Sequence, residues 1–174
     1  SGAFARTIGA LHERTSATVE VLTPDFQGRA ADIDRVLDAG PEVFNHNVET
    51  VPRLYPEVRP EADYRRSLAV LERAAGHAGT PIVKSGLMVG LGETQEEVED
   101  LLRDLHGAGC RVVTIGQYLA PSAEHHPVVE FVRPERFRQM EEIALEMGFK
   151  AAVSGPFVRS SYCAGDVTAR LLSE

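Results

Sequence analysis

The sequence predicts an α/β fold built on a parallel sheet. Strand-like and helix-like segments alternate along nearly the whole chain of 174 residues. Strands that are joined through helices are parallel, because the helix carries the chain back to the starting edge of the sheet. The pattern alone leaves open whether this sheet curves into a partial barrel or stays an open, doubly wound sheet.

The first half of the chain contains two predicted strands and two predicted helices. Residues 19–22 and residues 44–48 are strand-like runs, the first ended by Thr23-Pro24. Helices are predicted over residues 31–39 and 61–77, and glycines follow both of them. The apolar residues at helical spacing are Ile33, Val36 and Leu37 in the first helix and Tyr64, Leu68, Leu71 and Ala75 in the second.

The second half continues the same alternation. Strands are predicted over residues 82–89, 111–115 and 151–153. Thr94 and Glu97 form a capping box at the start of one helix, and Pro134 stands in the first turn of the next, which Gly148 ends. The apolar faces of these helices comprise Val98, Leu101, Leu102 and Leu105, then Phe137, Met140, Ala144 and Met147.

The composition favours one domain or a piece of one, with no nucleic-acid or membrane partner. The formal charge is -8, and the 18 lysines and arginines are scattered rather than clustered in a basic patch. No apolar run reaches the roughly 20 residues of a membrane span. The two cysteines, Cys110 and Cys163, are typical of a reduced pair, which predicts a cytoplasmic protein.

Polar strings stand where the predicted strands end. These are Asp25, residues 45–49, residues 90–93 and residues 117–122. In parallel α/β folds, ligands bind at the carboxyl ends of the strands. The sequence therefore predicts a shared site at this edge of the sheet.

The string Val43-Phe-Asn-His-Asn-Val-Glu49 is unusual for a strand, since Asn is depleted in strands. Alternate side chains of a strand share a face, so Asn45, Asn47 and Glu49 are predicted to point to one side. His46 points to the other side and is interpreted as a core or supporting histidine. The adjacent pair His125-His126 is interpreted as part of a solvated loop rather than a metal site.

Two further strings carry groups suited to ligands. Gly155-Pro-Phe-Val-Arg-Ser-Ser-Tyr162 offers a planar guanidinium and three hydroxyls, which suit an anion or a metal cluster, although a polar cap on the fold explains it equally. Gly86-Leu-Met-Val-Gly-Leu-Gly-Glu93 offers glycines that let a flat heterocycle approach the backbone. A strand that ends in a glycine turn before a capped helix is the alternative for this second string.

Taken together with Lys84-Ser-Gly and Gly116-Gln-Tyr-Leu-Ala-Pro-Ser122, these strings resemble the lipoyl synthase family of radical S-adenosylmethionine (SAM) enzymes. The resemblance runs from about residue 19 to Tyr162, and the motifs keep the family's order. One departure is large, because the family has two upstream cysteine triads, Cys-x3-Cys-x2-Cys and Cys-x4-Cys-x5-Cys, and this sequence has neither. The resemblance implies that an N-terminal part of the protein is missing.

The resemblance implies a partial barrel of six β/α units, of which this chain holds roughly the last four strands. Residues 1–153 would belong to the barrel, and residues 154–174 would form a C-terminal segment with the Arg-Ser-Ser-Tyr motif. The implied cofactors are SAM and two 4Fe–4S clusters, one for radical SAM chemistry and one auxiliary. Ser161, the second serine of the motif, would be a ligand of the auxiliary cluster. The residues implied for cofactor binding are Asn45, Asn47, Glu49, Gly86, Met88, Gly90, Glu93 and Gln117.

The implied activity is sulfur insertion at C6 and C8 of a protein-bound octanoyl group, which forms the lipoyl cofactor. The implied partners are an octanoylated lipoyl carrier domain or H protein and an electron donor such as ferredoxin or flavodoxin. Without the cysteine triads, this chain alone is expected to be inactive. Two alternatives stay open: a non-catalytic subunit that completes a cysteine-bearing partner, and another α/β-barrel enzyme that binds a phosphate at residues 90–93.

Several other residues are open to two interpretations. The basic residues Arg53, Arg59 and Lys84 could each meet an anionic group, and an ion pair with Glu49 would equally explain Lys84 within an apolar strand. Cys110 is interpreted as a small core residue. Cys163 is interpreted as an incidental thiol, with a rival cluster ligand as its alternative.

Overall fold

A computed structural model describes residues 1–79, 81–162 and 164–173 of the chain. Five strands form one sheet: β1 (Glu20–Leu22), β2 (Val43–Asn45), β3 (Ile82–Val89), β4 (Val112–Gln117) and β5 (Ala151–Gly155). The helices are α1 (Gly2–Arg14), α2 (Ala30–Leu37), α3 (Tyr55–Val58), α4 (Tyr64–Ala75), α5 (Gln95–Gly107), α6 (Pro134–Glu146) and α7 (Ala164–Leu172). Short 3-10 turns occupy Phe26–Gly28 and Pro52–Leu54.

The order of the strands decides between the two sheet types that the sequence left open. All neighbouring strands are parallel, and their order in the sheet follows the chain from β1 to β5. Doubly wound sheets instead reverse direction at a switch point. Because β/α/β crossovers are right-handed, a sheet wound in one direction carries its helices on one face, as a barrel does.

The predicted α/β class with a partial barrel sheet is therefore confirmed. Over the described residues the sheet contains five strands, where the resemblance implied about four. The division between residues 153 and 154 stays a prediction, and β5 runs across it to Gly155.

The core lies between the sheet and its helices. In β3, Val83, Leu87 and Val89 are buried, while the alternate positions Lys84, Gly86 and Met88 belong to the opposite face. The helix α5 begins at the predicted capping box, in which Thr94 accepts from the Glu97 amide at 3.2 Å and Glu97 accepts from the Thr94 amide at 2.8 Å. The buried face of α5 is the predicted one, Val98, Leu101, Leu102 and Leu105.

The clearest difference from the expected elements concerns β2. A strand was expected over residues 44–48, whereas β2 ends at Asn45. The following segment remains attached to β3, because the Glu49 amide donates to Gly86 O at 3.0 Å and the Met88 amide donates to Glu49 O at 2.8 Å. Glu49 itself has a φ of 66°, in the left-handed region that few residues other than glycine adopt. This turn interrupts the regular alternation on which the expectation was based.

None of the helices within the described ranges has the length and apolar character needed to cross a membrane.

Candidate functional site

A cleft of about 320 Å³ lies on the face of the sheet opposite the helices, near the carboxyl ends of the strands. Its floor comes from β3 and β4, one wall comes from the residues after β2, and its roof comes from residues 158–161. The lining residues are Leu22, Asn47, Glu49, Gly86, Leu87, Met88, Thr114, Gly116, Val158, Arg159, Ser160 and Ser161. The volume is in the range of pockets that bind small molecules.

Two glycines on neighbouring strands give this cleft its depth. In the parallel register, Gly86 lies beside Thr114 and Met88 lies beside Gly116. A Cβ on Gly86 would lie 2.9 Å from Asn47 Oδ1, and a Cβ on Gly116 would lie 2.3 Å from Val158 O. Both positions must therefore be glycine for the wall and the roof to approach the floor so closely.

Asn47 joins the wall of the cleft to its roof. Its Nδ2 donates to Glu49 Oε1 at 3.2 Å and to Ser160 Oγ at 2.7 Å. The second of these hydrogen bonds connects the two sequence strings that were singled out as site linings. The two strings therefore meet in the structure.

Glu49 places a half-buried carboxyl group in the wall. Burial raises the pKa of this carboxyl above its ordinary value, and the hydrogen bond from Asn47 and the charge of Arg59 oppose that rise. The left-handed φ of Glu49 is a strained conformation for a residue with a side chain, of the kind that clusters at functional sites.

Arg59 supports the wall from behind. Its Nη1 donates to Val48 O at 3.1 Å and to the Tyr55 hydroxyl at 3.1 Å. The same hydroxyl donates to Val48 O at 2.7 Å, so both side chains hold the backbone between Asn47 and Glu49. Arg59 is thus a support of the turn and is not aimed into the cleft.

The other two basic residues that the sequence associated with the site also have partners. Arg53 donates to Glu97 at 2.7 and 2.9 Å, on the outside of α5. Lys84 is 2% exposed and pairs with Glu20 at 2.9 Å, rather than with Glu49 as the alternative supposed. An unpaired ammonium at that depth would be costly, so this ion pair accounts for Lys84.

Five of the nine predicted site residues line the cleft: Asn47, Glu49, Gly86, Met88 and Ser161. Asn45 lies two residues before Asn47, at the end of β2, and its Nδ2 donates to Glu20 Oε1 at 3.1 Å. Of the two predicted amides, only Asn47 lines the cleft, because β2 ends between Asn45 and Asn47.

Gly90, Glu93 and Gln117 lie outside the lining and hold loops in place. Glu93 accepts from the Gly90 amide at 2.7 Å and from the Leu91 amide at 2.9 Å. Gln117 is 4% exposed, donates to Glu130 O at 3.0 Å and accepts from the Val132 amide at 2.9 Å. Since Glu93 occupies the first two amides of the 90–93 turn, this geometry does not favour a phosphate site there.

His46 and His126 both have partners within the fold. His46 is buried, its Nδ1 contacts Thr23 O at 2.9 Å, and burial lowers the pKa of its imidazole. His126 Nε2 contacts Leu91 O at 2.9 Å, which places it in the loop packing. Across the described residues, His, Cys, Asp and Glu form no cluster of three or more that could hold a metal ion.

Cys110 is fully buried behind the sheet, and burial raises the pKa of its thiol, in agreement with a core role. Cys163 lies outside the described residues.

The sequence reasoning missed Leu22, Thr114, Gly116 and Val158 as lining residues. Thr114 and Gly116 could have been found from alternation, because they occupy the same face of β4 as Gly86 and Met88 occupy on β3. Leu22 and Val158 carry no polar group, so no motif marks them.

Comparison with known proteins gives one family and many relatives. A family model described as the radical SAM superfamily matches residues 4–105, more than half of the chain. A lipoyl synthase of Caldicellulosiruptor saccharolyticus is 52% identical over 95% of this chain and 58% of its own length. Lipoyl synthases of Caldanaerobacter subterraneus and Chlorobaculum parvum are each 54% identical over 91% of this chain, covering 56% and 54% of their own lengths. The chain thus spans somewhat more than half the length of these relatives.

Proposed function

Because the chain belongs to the radical SAM superfamily and is similar to lipoyl synthases over about nine-tenths of its length, we propose that the full-length protein is a lipoyl synthase. In that reaction, sulfur replaces hydrogen at C6 and C8 of an octanoyl group on a carrier protein. The proposed substrate is an octanoylated lipoyl carrier domain or H protein, the reductant is a ferredoxin or flavodoxin, and the setting is the cytoplasm.

The observation that carries this proposal is the hydrogen bond from Asn47 to Ser160 at 2.7 Å. It brings the string of residues 43–49 and the string of residues 155–162 to one cleft, although they are far apart in the sequence. A polar cap without a binding role would not need to contact the strained turn at Glu49 across the glycines Gly86 and Gly116.

The cleft fits SAM by its chemistry. Gly86 and Gly116 leave room for a flat ring against the backbone, and Met88 offers it an apolar surface. The Glu49 carboxylate suits a cationic sulfonium or an amino group, and the Arg159 guanidinium in the roof suits a carboxylate. When bound, SAM supplies the oxidising power that removes hydrogen from unactivated carbon. The residues of this chain bind and orient it, and the roof limits the access of water.

Direct contacts of Asn45, Gly90, Glu93 and Gln117 with the cofactor stay predictions. In this structure their side chains or backbones hold the sheet and the loops around the cleft.

The 4Fe–4S clusters are a different case. Such clusters are held mainly by cysteine thiolates, and of the described residues only Cys110 is a cysteine, buried away from the cleft. The described residues therefore do not form a cluster ligand set by themselves. We expect two clusters in the full-length protein, with Ser161, at the exposed rim of the cleft, as one oxygen ligand of the auxiliary cluster. We expect this chain alone to be inactive, because its sequence contains only two cysteines.

The function is tested on the natural-length protein after anaerobic reconstitution with iron and sulfide. An octanoylated carrier, SAM and a reductant are supplied, and mass spectrometry follows the gain of sulfur on the carrier. We expect Ser161→Ala to abolish most sulfur insertion while some SAM cleavage remains. The matched control is Ser16→Ala, which removes a hydroxyl from an exposed loop and should behave as the parent. Equal product from Ser161→Ala and the parent would refute the role of Ser161.

A second test separates a whole enzyme from a separate subunit. The DNA upstream of the codon for Ser1 is translated in frame. Two cysteine triads in that translation would support a lipoyl synthase in one chain. A stop codon followed by a start signal would instead favour a subunit that completes a cysteine-bearing partner.

A further inference from the structure

The carboxamide of Asn47 is fully engaged by the protein itself. An amide side chain has two N–H donors, and Asn47 uses them on Glu49 Oε1 and Ser160 Oγ. Its Oδ1 is buried without a hydrogen-bond partner among the described residues. That oxygen lies against the Gly86 backbone, since a Cβ on Gly86 would be 2.9 Å from it. Asn47 therefore lines the cleft with no donor left for a ligand.

We infer that Asn47 is a positioning residue, which ties the roof segment, residues 156–162, to the Glu49 turn and thereby sets where Ser161 stands relative to the cleft. The consequence for catalysis rests on the proposed function, in which Ser161 is a cluster ligand and the cleft holds SAM. The tie itself is a property of this chain's own residues.

Other contacts of the roof segment do not fix it across the cleft. The Val158 amide donates to Gly155 O at 3.1 Å and the Tyr162 amide donates to Arg159 O at 2.9 Å, and both bonds are local. Val158 is buried, and its carbonyl packs over Gly116 and accepts from Arg159 Nη1 at 2.6 Å, which is again a local bond. Among the described residues, no second hydrogen bond joins the roof segment to the wall or the floor of the cleft.

The chemistry of the position requires an amide. A carboxylate in place of Asn47 would lose both donors and would face the Glu49 carboxylate, so it would repel the turn, although the Ser160 hydroxyl could still donate to it. A hydroxyl residue at this position has one donor and could satisfy only one of the two partners. A side chain with two N–H groups at this reach donates to Glu49 and Ser160 at the same time.

The test uses hydrogen–deuterium exchange on the natural-length protein. The amides of Val158 and Tyr162 report on the roof segment, and the Tyr118 amide, which donates to Val89 O at 2.9 Å, reports on the sheet. We expect Ser160→Ala to speed exchange at the roof amides by about fivefold, which corresponds to the loss of one ordinary hydrogen bond. The Tyr118 amide should not change. Ser160→Thr keeps the hydroxyl acceptor and should restore the parent rates.

Asn47→Leu provides the second arm, because an apolar side chain of similar size can neither donate nor accept. Because it affects both partners, exchange should rise at the roof amides and also at the Glu49 amide, which Ser160→Ala should leave unchanged. A purely structural role would instead raise exchange at all these amides together, including Tyr118. Ser16→Ala is the control for the loss of a serine hydroxyl elsewhere.

Unchanged roof exchange in Ser160→Ala would overturn the inference, as would a uniform rise that Ser160→Thr fails to restore. SAM binding by the parent and both variants, measured by calorimetry, separates this result from the proposed function. A parent that does not bind SAM would refute the cofactor assignment and leave the exchange result standing. Normal SAM binding with unchanged roof exchange would refute the tie alone.

Discussion

Two glycines explain more of the site than any charged residue does. Gly86 makes room for the Asn47 side chain, and Gly116 makes room for the Val158 carbonyl. The charged residues that looked most suggestive in the sequence are instead engaged elsewhere, Lys84 with Glu20 and Arg53 with Glu97. At the scale of single residues, the shape of the cleft depends on two positions that carry no side chain.

Gly116→Ala tests this view. The added Cβ would lie 2.3 Å from Val158 O, so the roof segment must move away from the floor. We expect a loss of about 1–3 kcal/mol in unfolding free energy, the usual range for overpacking, together with weaker SAM binding. Urea unfolding and calorimetry measure the two effects.

The control for this substitution is Gly9→Ala, in the half-buried middle of α1, where a Cβ meets nothing within 4 Å. Alanine there should raise the unfolding free energy by up to about 1 kcal/mol through helix propensity. Equal stability and binding in Gly116→Ala and the parent would contradict the close approach of the roof.

At the scale of elements, α5 is the part of the fold that the sequence determines most fully. Its capping box, its buried stripe and its end near Gly107 all follow from local rules. The structure adds a long-range partner, because Arg53 donates to both oxygens of Glu97 in that capping box. The 3-10 turn of residues 52–54 is thereby joined to the start of α5.

This pairing predicts a specific dependence of stability on pH. The hydrogen bonds from Arg53, followed by those from Thr94, lower the pKa of Glu97 from its ordinary 4.5 to about 2. The folded state therefore favours the carboxylate, so the stabilisation is present above about pH 4.5 and is lost as the pH falls towards about 2. Glu97→Gln should be less stable than the parent near neutral pH, and the difference should shrink in acid.

Urea unfolding at a series of pH values measures that difference. Glu142→Gln, at an exposed position on α6, is the control for the loss of one carboxylate. A constant gap between Glu97→Gln and the parent down to about pH 2 would be inconsistent with the lowered pKa.

Local rules predicted the strands and helices but not the shape of the site. Periodicity located β3, β4, α5 and α6 well, because each has an alternating or 3.6-residue apolar pattern. The end of β2 at Asn45 was not predictable, since the left-handed Glu49 turn is held by Arg59 and Tyr55 from later in the chain. The motif residues near the cleft were found, whereas Leu22 and Val158 line it only because of the way the chain folds.

At the scale of the whole molecule, the sheet of the described residues has an open edge at β1. The Thr23 amide donates to Asn45 O and the Val43 amide donates to Val19 O, so alternate residues of β1 face β2. The backbone groups of Glu20 and Leu22 therefore face outward. Unpaired strand edges promote association with other chains.

We expect this chain, studied by itself, to self-associate through that edge. Leu22→Pro removes an outward amide without removing a ladder hydrogen bond, so it should shift the chain towards monomer. Light scattering coupled to size-exclusion chromatography measures the change. Leu22→Ala is the control, because it removes the apolar side chain and keeps the amide. A sharply melting monomer of the parent, or equal association in Leu22→Pro, would contradict edge pairing.

The roof of the cleft also has a consequence for synthesis on the ribosome. Residues 156–162 follow all five strands in the chain, so the floor and the wall emerge first and the roof closes over them afterwards. During translation, the nascent sheet passes through a stage in which its polar face is formed but uncovered. A small ligand captured at that stage would be enclosed as the roof segment docks, rather than having to enter a finished cavity.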